Sequence, residues 1–257
     1  MISRILTALL LVGAVLALAA CNDVDTSTFQ GWVEADLIFV SPDENGRIET
    51  LSVREGDAVG QGAPLFTLDD ELQRADLEQN RASLVNAQQG FERAQQLLRT
   101  NTGTQKNYED AEAALRTAQA RVNSSQTRLV RRRMFSPVTG TVQQVYFRVG
   151  EMVTAGRPVV SLLPPENVKI RFFVPEALLP KVAIDDVIQV HCDNCAADIT
   201  ARISFISRTA EYTPPVIYSL EERAKLVYLI EARPQQPQAL RVGQPVSVVL
   251  PKAGAAS

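Results

Sequence analysis

Apolar and small residues in the middle of the chain recur with the spacing of a coiled-coil seam. They are Leu77, Leu84, Phe91 and Leu98, and after a break Tyr108, Ala111, Leu115, Ala118, Val122, Ser125 and Leu129. The first run repeats every seven residues, and the second alternates steps of three and four. The break at residues 101–104 is short, so the two helices should be antiparallel neighbours. We therefore predict a helical hairpin over residues 70–134, with Asp69 and Asp70 as candidates for its start.

The chain carries two copies of one segment, one on each side of this helical region. Residues 46–69 align without gaps on residues 140–163. Identical residues stand at Gly46 and Gly140, Arg54 and Arg148, Gly56 and Gly150, Val59 and Val153, Gly62 and Gly156, Pro64 and Pro158, and Leu68 and Leu162. Each copy predicts three short strands, and the matched glycines indicate backbone with a positive φ or a close approach. Because so short a β unit cannot bury a core alone, we predict that the two copies pack together.

Extended patterns predominate after the second copy. Predicted strands lie at residues 168–174, 187–191, 199–206, 226–230 and 246–250. Residues 30–35, before the first copy, supply a further candidate strand. Short strands in this number are typical of a small barrel. The predicted fold class is mixed α and β: a split lipoyl-like β domain with an inserted antiparallel coiled-coil hairpin, followed by a small β-barrel domain.

The first twenty residues have the pattern of a leader. Arg4 precedes an apolar run over residues 5–20, which is too short for a comfortable transmembrane helix. Small residues then lead into Cys21, an ending that resembles the lipobox of bacterial lipoproteins. A plain secretory signal is the alternative. We predict that Cys21 carries lipid, which would anchor the mature chain to a membrane surface without spanning it.

The composition argues against several classes of function. The net charge of −3 gives no indication of nucleic-acid binding. The chain has one histidine, His191, so nucleophilic triads and histidine-based acid–base chemistry have no candidates elsewhere. A lipoyl- or biotin-carrying domain needs a lysine between its two halves, and none lies beside that junction. We therefore expect a protein that is not an enzyme and has no cofactor.

The predicted chain has two β half-units around a helical hairpin, a β-barrel after them and a lipoprotein leader before them. This arrangement resembles the HlyD-type membrane fusion proteins, or periplasmic adaptors. The resemblance covers about residues 29–251 and is nearest to the compact YbhG-like adaptors of ABC exporters, through residues 201–206 and 210–219. The domains that it implies are a signal peptide (1–20), a linker from the lipidated cysteine (21–28), the first barrel strand with the first lipoyl-like half (29–69), the hairpin (70–134), the second lipoyl-like half (135–164), the barrel (165–251) and a tail (252–257).

This resemblance implies the adaptor subunit of a tripartite export system, held by lipid on the periplasmic side of the inner membrane. Its implied partners are an inner-membrane ABC-type transporter, a TolC-like outer-membrane channel and further copies of itself in a ring. Adaptors of proton-driven pumps usually carry another domain after the barrel, whereas only residues 251–257 follow here. That favours the ABC-type partner and leaves a proton-driven pump as the alternative. A stand-alone envelope scaffold also stays open.

The predicted hairpin tip carries a pattern of its own. Adaptors that meet TolC-like channels often have Arg, Leu and Ser in the spacing Arg-x3-Leu-x6-Ser. Arg93, Leu97 and Thr104 hold this spacing, with threonine in place of serine. A guanidinium offers several donors, a leucine adds apolar contact and a hydroxyl can bond backbone. The resemblance thus implies a channel contact at these residues. The alternative is a solvated Arg93, a seam position for Leu97 and a helix N-cap at Thr104.

One cluster is chemically suggestive, the run from His191 to Cys195. A Cys-x-x-Cys beside a histidine can bind a metal or exchange disulfides. This cluster connects two predicted strands, however, and no second cluster offers a further zinc ligand. In an oxidising periplasm, a structural disulfide between Cys192 and Cys195 is the simpler interpretation. Reduced spectator thiols, or a metal- or redox-linked accessory protein acting at this cluster, are the alternatives.

Overall fold

The computed structural model describes residues 28–193, 195, 199–212 and 226–250. Cys21, the leader, the tail and most of the stretch 210–219 lie outside these residues. The chain divides into two compact units, Ala35–Asn167 and a second one made of Met1–Glu34 with Val168–Ser257. None of the helices in the described ranges combines the length and apolarity that a bilayer crossing requires.

The strands and helices follow the predicted order along the chain. The strands are β1 (Thr28–Ala35), β2 (Ile38–Val40), β3 (Gly46–Leu51), β4 (Ala58–Val59), β5 (Pro64–Leu68), β6 (Arg133–Phe135), β7 (Gly140–Val145), β8 (Met152–Val153), β9 (Val160–Leu163), β10 (Val168–Pro175), β11 (Val187–His191), β12 (Ile199–Tyr212), β13 (Leu226–Pro234) and β14 (Pro245–Val249). The helices are α1 (Glu71–Arg99) and α2 (Gln105–Val130). Short 3₁₀ turns lie at Pro165–Asn167, Glu176–Lys181 and Pro237–Ala239.

The two sequence copies interlock in the first unit. They form two four-stranded sheets, in the orders β2-β9-β7-β4 and β6-β5-β3-β8. Strand β4 of the first copy pairs with β7 of the second, and β8 of the second pairs with β3 of the first. Each copy therefore gives an edge strand to the other's sheet. The buried core draws on both: Val40, Ile48, Val53, Val59, Leu65, Phe66, Leu68, Val142, Val145, Phe147, Val153, Val159, Val160 and Leu162.

The matched glycines serve the two purposes that the repeat predicts. Gly56 and Gly150 occupy equivalent turns with φ of 91° and 92°, which L side chains rarely adopt. At Gly140 the reason is space, because a Cβ atom there would lie 2.6 Å from the carbonyl oxygen of Leu163. Equivalent backbone geometry in both copies explains why these glycines match.

Helices α1 and α2 form the predicted antiparallel hairpin. The predicted seam positions are half-buried or buried, and Leu77, Ala118 and Ser125 are buried most deeply. Towards the tip, the rings of Phe91 and Tyr108 meet with centroids 5.4 Å apart. The heptad spacing thus corresponds to a real contact between the helices.

The second unit is a closed barrel in the order β1-β10-β13-β12-β11-β14. The candidate strand before the first copy closes it, since β1 pairs antiparallel with β14 from Thr28 opposite Val249 to Trp32 opposite Pro245. Side chains alternate inwards along β10, where Phe172 is fully buried. The predicted fold class is therefore confirmed: a split β domain, an inserted hairpin and a β-barrel.

Candidate functional site: the hairpin tip and its base

A Schellman turn closes the hairpin tip. Asn101 adopts a positive φ of 56° just after α1. The Thr102 amide then donates to the Leu97 carbonyl at 2.9 Å, and the Asn101 amide donates to the Leu98 carbonyl at 3.1 Å. Gly103 packs so tightly that a Cβ atom would lie 3.0 Å from the Cβ of Leu97. The turn therefore holds the end of α1, and Leu97 with it, in a defined position.

Thr104 caps the second helix. Its Oγ1 accepts a hydrogen bond from the Asn107 amide at 3.2 Å, and its own backbone is extended, as at a helix N-cap. The capping interpretation of Thr104 is thus what the structure shows. A hydroxyl that accepts one bond still has its proton to donate. The proposed contact of Thr104 with a channel stays a prediction.

Leu97 and Arg93 lie one helical turn apart on α1, so they share a face. The Leu97 side chain is 50% exposed. The seam position belongs instead to its half-buried neighbour Leu98. Arg93 is exposed and forms no hydrogen bond or ion pair with the residues that the structure describes. This face offers an uncommitted guanidinium beside an exposed leucine, a combination suited to protein contact.

A polar layer crosses the hairpin seam nearer its base. Ser125 is buried, and its Oγ lies 2.6 Å from Nδ2 of Asn80 and 3.0 Å from Oδ2 of Asp76. Arg128 donates to the same Asp76 oxygen at 3.1 Å. One polar layer in an apolar seam specifies the helix register, because sliding would leave its groups unpaired. The heptad spacing predicted Ser125 at the seam but missed Asp76 and Asn80, which do not fit an apolar pattern.

The first turn of α1 is held by an ion pair. Asp70 is the N-cap residue by position, as predicted, but its side chain makes no capping bond. Its two oxygens instead accept from Nε and Nη2 of Arg74 at 2.6 and 2.9 Å. These hydrogen bonds, more than the nearby positive charges, hold the pKa of Asp70 below its ordinary value. The carboxylate's contribution to stability is therefore present above the ordinary carboxyl pKa and is lost as the pH falls through the lowered one.

Arg132 anchors the other end of the hairpin. Three consecutive arginines, such as those that follow α2, are usually solvated, but Arg132 is only 7% exposed. Its Nη1 donates to the Asn45 carbonyl at 2.9 Å, and its Nη2 donates to Glu44 at 3.2 Å. The Asn45 side chain in turn accepts from the Ala155 amide of the second copy at 2.8 Å. Arg132 therefore ties the hairpin to both halves of the β domain.

Replacing Arg132 with methionine should destabilise this junction. The Asn45 carbonyl and the Glu44 carboxylate would lose their charged donor, which we expect to cost about 1–3 kcal/mol. Arg131 is the matched control, since its side chain is 58% exposed and lies 3.6 Å from Asp43. Arg131→Met should cost less than about 1 kcal/mol. Urea unfolding of the two variants measures the difference, and equal losses would contradict the anchoring role.

Cys192 and Cys195 are joined by a disulfide, with their Cα atoms 5.4 Å apart. The pair closes a turn after β11, where the Cys195 amide donates to the Cys192 carbonyl at 3.3 Å. Gln244 donates to the sulfur of Cys195 at 3.2 Å. With both sulfurs bonded to each other, neither is free as a thiolate ligand. The described residues also contain no group of three or more metal-ligating side chains. The structural role of the bond stays a prediction.

The unit with the hairpin matches a known family. The model of the barrel-sandwich hybrid domain of RND membrane fusion proteins matches residues 37–163. A UPF0194 membrane protein of Citrobacter koseri is 31% identical over 86% of this chain and 87% of its own length. The chain belongs to the membrane fusion protein family. This confirms the family that the sequence suggested.

Two further proteins resemble this membrane fusion protein over different shares of its length. The probable efflux pump periplasmic linker protein SepA of Pseudomonas putida is 31% identical, but over 46% of this chain and 31% of its own length. The structure of the membrane fusion protein Spr0693 from Streptococcus pneumoniae superposes with a TM-score of 0.69 at 18% identity, covering 87% of this chain and 98% of that one. The second likeness shows that the fold is shared over the length of both chains.

Proposed function

We propose that this membrane fusion protein is the periplasmic adaptor of a tripartite export system and bridges an inner-membrane ABC-type transporter to a TolC-like outer-membrane channel. The observation that carries the proposal is the hairpin tip. Helix α1 has 29 residues, so at about 1.5 Å per residue the rod is about 40 Å long. It ends in a fixed turn, next to the exposed side chains of Arg93 and Leu97. A rigid rod of this kind is suited to reaching a distant partner.

At the tip, each of the three residues has a separate role. The guanidinium of Arg93 carries five donors for the carbonyl or carboxylate oxygens of a channel. Leu97 adds apolar area that is removed from water on contact. Thr104 keeps its backbone cap and donates its remaining proton outwards. None of these roles involves bond making or breaking, which fits an adaptor that is not an enzyme.

The choice of partners rests on likeness. The Pseudomonas putida relative is named as an efflux pump periplasmic linker, which supports a role in efflux. The ABC-type transporter follows from the resemblance of residues 201–206 to the compact adaptors of ABC exporters. We also propose that several copies assemble into a ring around the exported substrate.

The anchor of this adaptor is lipid on Cys21, at the periplasmic side of the inner membrane. Metabolic labelling with a fatty acid should mark the wild type and leave Cys21→Ala unlabelled, because the acylated thiol is gone. The variant Cys192→Ser with Cys195→Ser is the control and should keep the label. Label that persists in Cys21→Ala would show that the lipid is not on this residue.

Purification of the intact complex tests the proposed function. A tagged full-length chain, crosslinked in cells and extracted in detergent, should bring down an ABC permease, its ATPase and an outer-membrane channel. The tip variant Arg93→Asp with Leu97→Ala should keep the transporter and lose the channel. Recovery of a proton-driven transporter would favour the alternative pump, and recovery of neither membrane partner would contradict the proposal.

A further inference from the structure

The disulfide between Cys192 and Cys195 closes a very short stretch of chain. The two residues stand three apart in sequence, and their Cα atoms are 5.4 Å from each other. A disulfide stabilises a protein mainly by restricting its unfolded chain, and the restriction grows with the length of the loop that it closes. A bond across a single turn therefore adds little to the stability of the barrel, so a purely structural role explains it poorly.

Backbone ladders close the barrel beside this turn without the disulfide. Strand β11, which ends at His191, pairs with β12 and with β14. Strand β14 in turn pairs with β1 from Thr28 opposite Val249 to Trp32 opposite Pro245. Because these strands are held by their own hydrogen bonds, the barrel should stay closed when the bond between the two sulfurs opens.

The disulfide lies at the rim of the barrel and not in its core. Cys192 and Cys195 are partly exposed, and the neighbours of Cys192, His191 and Asp193, are exposed. Thiol–disulfide exchange requires an attacking thiolate to reach one of the two sulfurs, so a disulfide sealed in a core is protected from it. A thiol of another molecule can approach this bond from solvent.

The two sulfurs differ in their surroundings. Nε2 of Gln244 donates a hydrogen bond to the Cys195 sulfur at 3.2 Å. Among the residues that the structure describes, none donates a hydrogen bond to the sulfur of Cys192. A hydrogen-bond donor favours the charged form of the group that it contacts. Since a thiol that ionises more easily leaves faster, Cys195 is the better leaving group and Cys192 is the sulfur to be attacked.

Gln244 also connects the disulfide to the end of β1. Its Oε1 accepts from the Arg241 amide at 3.0 Å, and its carbonyl oxygen accepts from the Val33 amide at 2.9 Å. The Gly243 amide donates to the Val33 carbonyl at 2.8 Å. Strand β1 ends at Ala35, where the chain passes into the unit with the hairpin. One residue therefore contacts both the disulfide and the last part of β1.

We propose that the Cys192–Cys195 bond is a site of reversible thiol–disulfide exchange with a dithiol protein. A thiolate of the partner attacks the Cys192 sulfur, the bond between the two sulfurs breaks, and Cys195 leaves as a thiolate that Gln244 stabilises. The second thiol of the partner then attacks the mixed disulfide and releases Cys192. Two electrons come from the partner, which becomes a disulfide, and its two protons end on Cys192 and Cys195.

Reduction has a consequence for the turn over residues 241–244. Once the bond is open, Cys195 is no longer fixed to Cys192, and its contact with Gln244 is no longer held in place. The turn and the end of β1 then open more often, while the ladders elsewhere in the barrel remain. This inference goes beyond the adaptor role and does not depend on it.

Trapping of the mixed disulfide tests the exchange site. The probe is a thioredoxin-type protein that keeps only its attacking cysteine, and it is mixed with the full-length chain extracted in detergent. We expect a one-to-one adduct that peptide mass spectrometry locates at Cys192. An adduct at Cys195, or no adduct under conditions in which the probe reacts with other disulfides, would overturn the proposal.

The rate of reduction by dithiothreitol tests the role of Gln244. Gln244→Glu keeps an acceptor for the Arg241 amide, but it replaces the donor to Cys195 with a carboxylate, so reduction should slow by about threefold or more. Gln235→Glu is the matched control, since this glutamine is exposed, and it should react like the wild type. Equal rates for Gln244→Glu and the wild type would contradict the proposed route of attack.

Hydrogen exchange of the oxidised and reduced protein tests the consequence. Peptides that contain Val33 and Gly243 should exchange about threefold faster or more after reduction, whereas a peptide from β10 should not change. The variant Cys192→Ser with Cys195→Ser should behave like the reduced wild type. Unchanged exchange at Val33 would overturn the link to β1. Faster exchange throughout the barrel would show that the bond is a structural staple and would overturn the proposal.

Discussion

Leu77→Asp is expected to lower the free energy of unfolding of the hairpin by roughly 4 kcal/mol or more. Leu77 is 3% exposed, in the seam between α1 and α2. The substitution removes buried apolar volume and places a carboxylate where water cannot solvate it. Urea unfolding of the mature chain, followed by helical circular dichroism, measures the loss.

Leu72 on the same helix is the matched control, because it is 80% exposed. Leu72→Asp should change stability by no more than about 0.5 kcal/mol. An acidic residue in the first turn of a helix is even slightly favourable there. If the two variants were equally stable, the seam would not be what holds the rod together.

Arg93→Asp with Leu97→Ala is expected to abolish export while leaving the fold intact. Both side chains are exposed, and Arg93 has no ion pair with a described residue, so the loss of stability should stay near or below about 1 kcal/mol. Complementation of a deletion strain measures export. The matched control is Arg121→Asp with Val85→Ala, which changes an exposed arginine and an exposed apolar residue elsewhere on the rod. Export that survives the tip variant would favour the stand-alone scaffold.

Two variants of Thr104 can separate its role as a helix N-cap from a contact of its hydroxyl with the channel. Thr104→Ala should cost about 1 kcal/mol through the lost N-cap. Thr104→Asn retains a capping side chain but has no hydroxyl. If the hydroxyl contacts the channel, the asparagine variant should fold like the wild type and export less. Full export by Thr104→Asn would leave Thr104 with the capping role alone.

Local periodicity made the main features of this fold predictable. The heptads of α1 and α2 specify a seam, and identical residues in two aligned segments specify a β domain split by the hairpin. The strand over residues 30–35 was recognisable too, and it became β1, which closes the barrel against β14. In each case the sequence signal lies within one element or one repeat.

Features that depend on distant contacts were not predictable in the same way. The exchange of β4 and β8 between the two sheets requires pairing across the whole hairpin. Arg132 stands between two other arginines, and such a run is usually solvated. Nothing in the sequence therefore indicated that Arg132 is buried and bonded to Asn45. Asp76 and Asn80 were missed because their partner Ser125 lies on the other helix.

The candidate site was predictable in part. The spacing located Arg93, Leu97 and Thr104, but it did not decide between seam and surface for Leu97. The heptad spacing already favoured Leu98 for the seam, and the structure shows Leu98 half-buried there with Leu97 exposed beside it. The cap at Thr104 follows from the turn that precedes it, which the sequence marks with Asn101 and Gly103.

Photo-crosslinking in intact cells shows directly whether the hairpin tip meets an outer-membrane channel. A photoreactive amino acid is placed at Leu97 in one strain and at Val85, exposed on the same helix, in another. We predict a covalent adduct with the channel from position 97, little or none from position 85, and loss of the adduct when Arg93→Asp is added. If export remains active and position 97 gives no channel adduct, or no more than position 85, the tip is not the docking site.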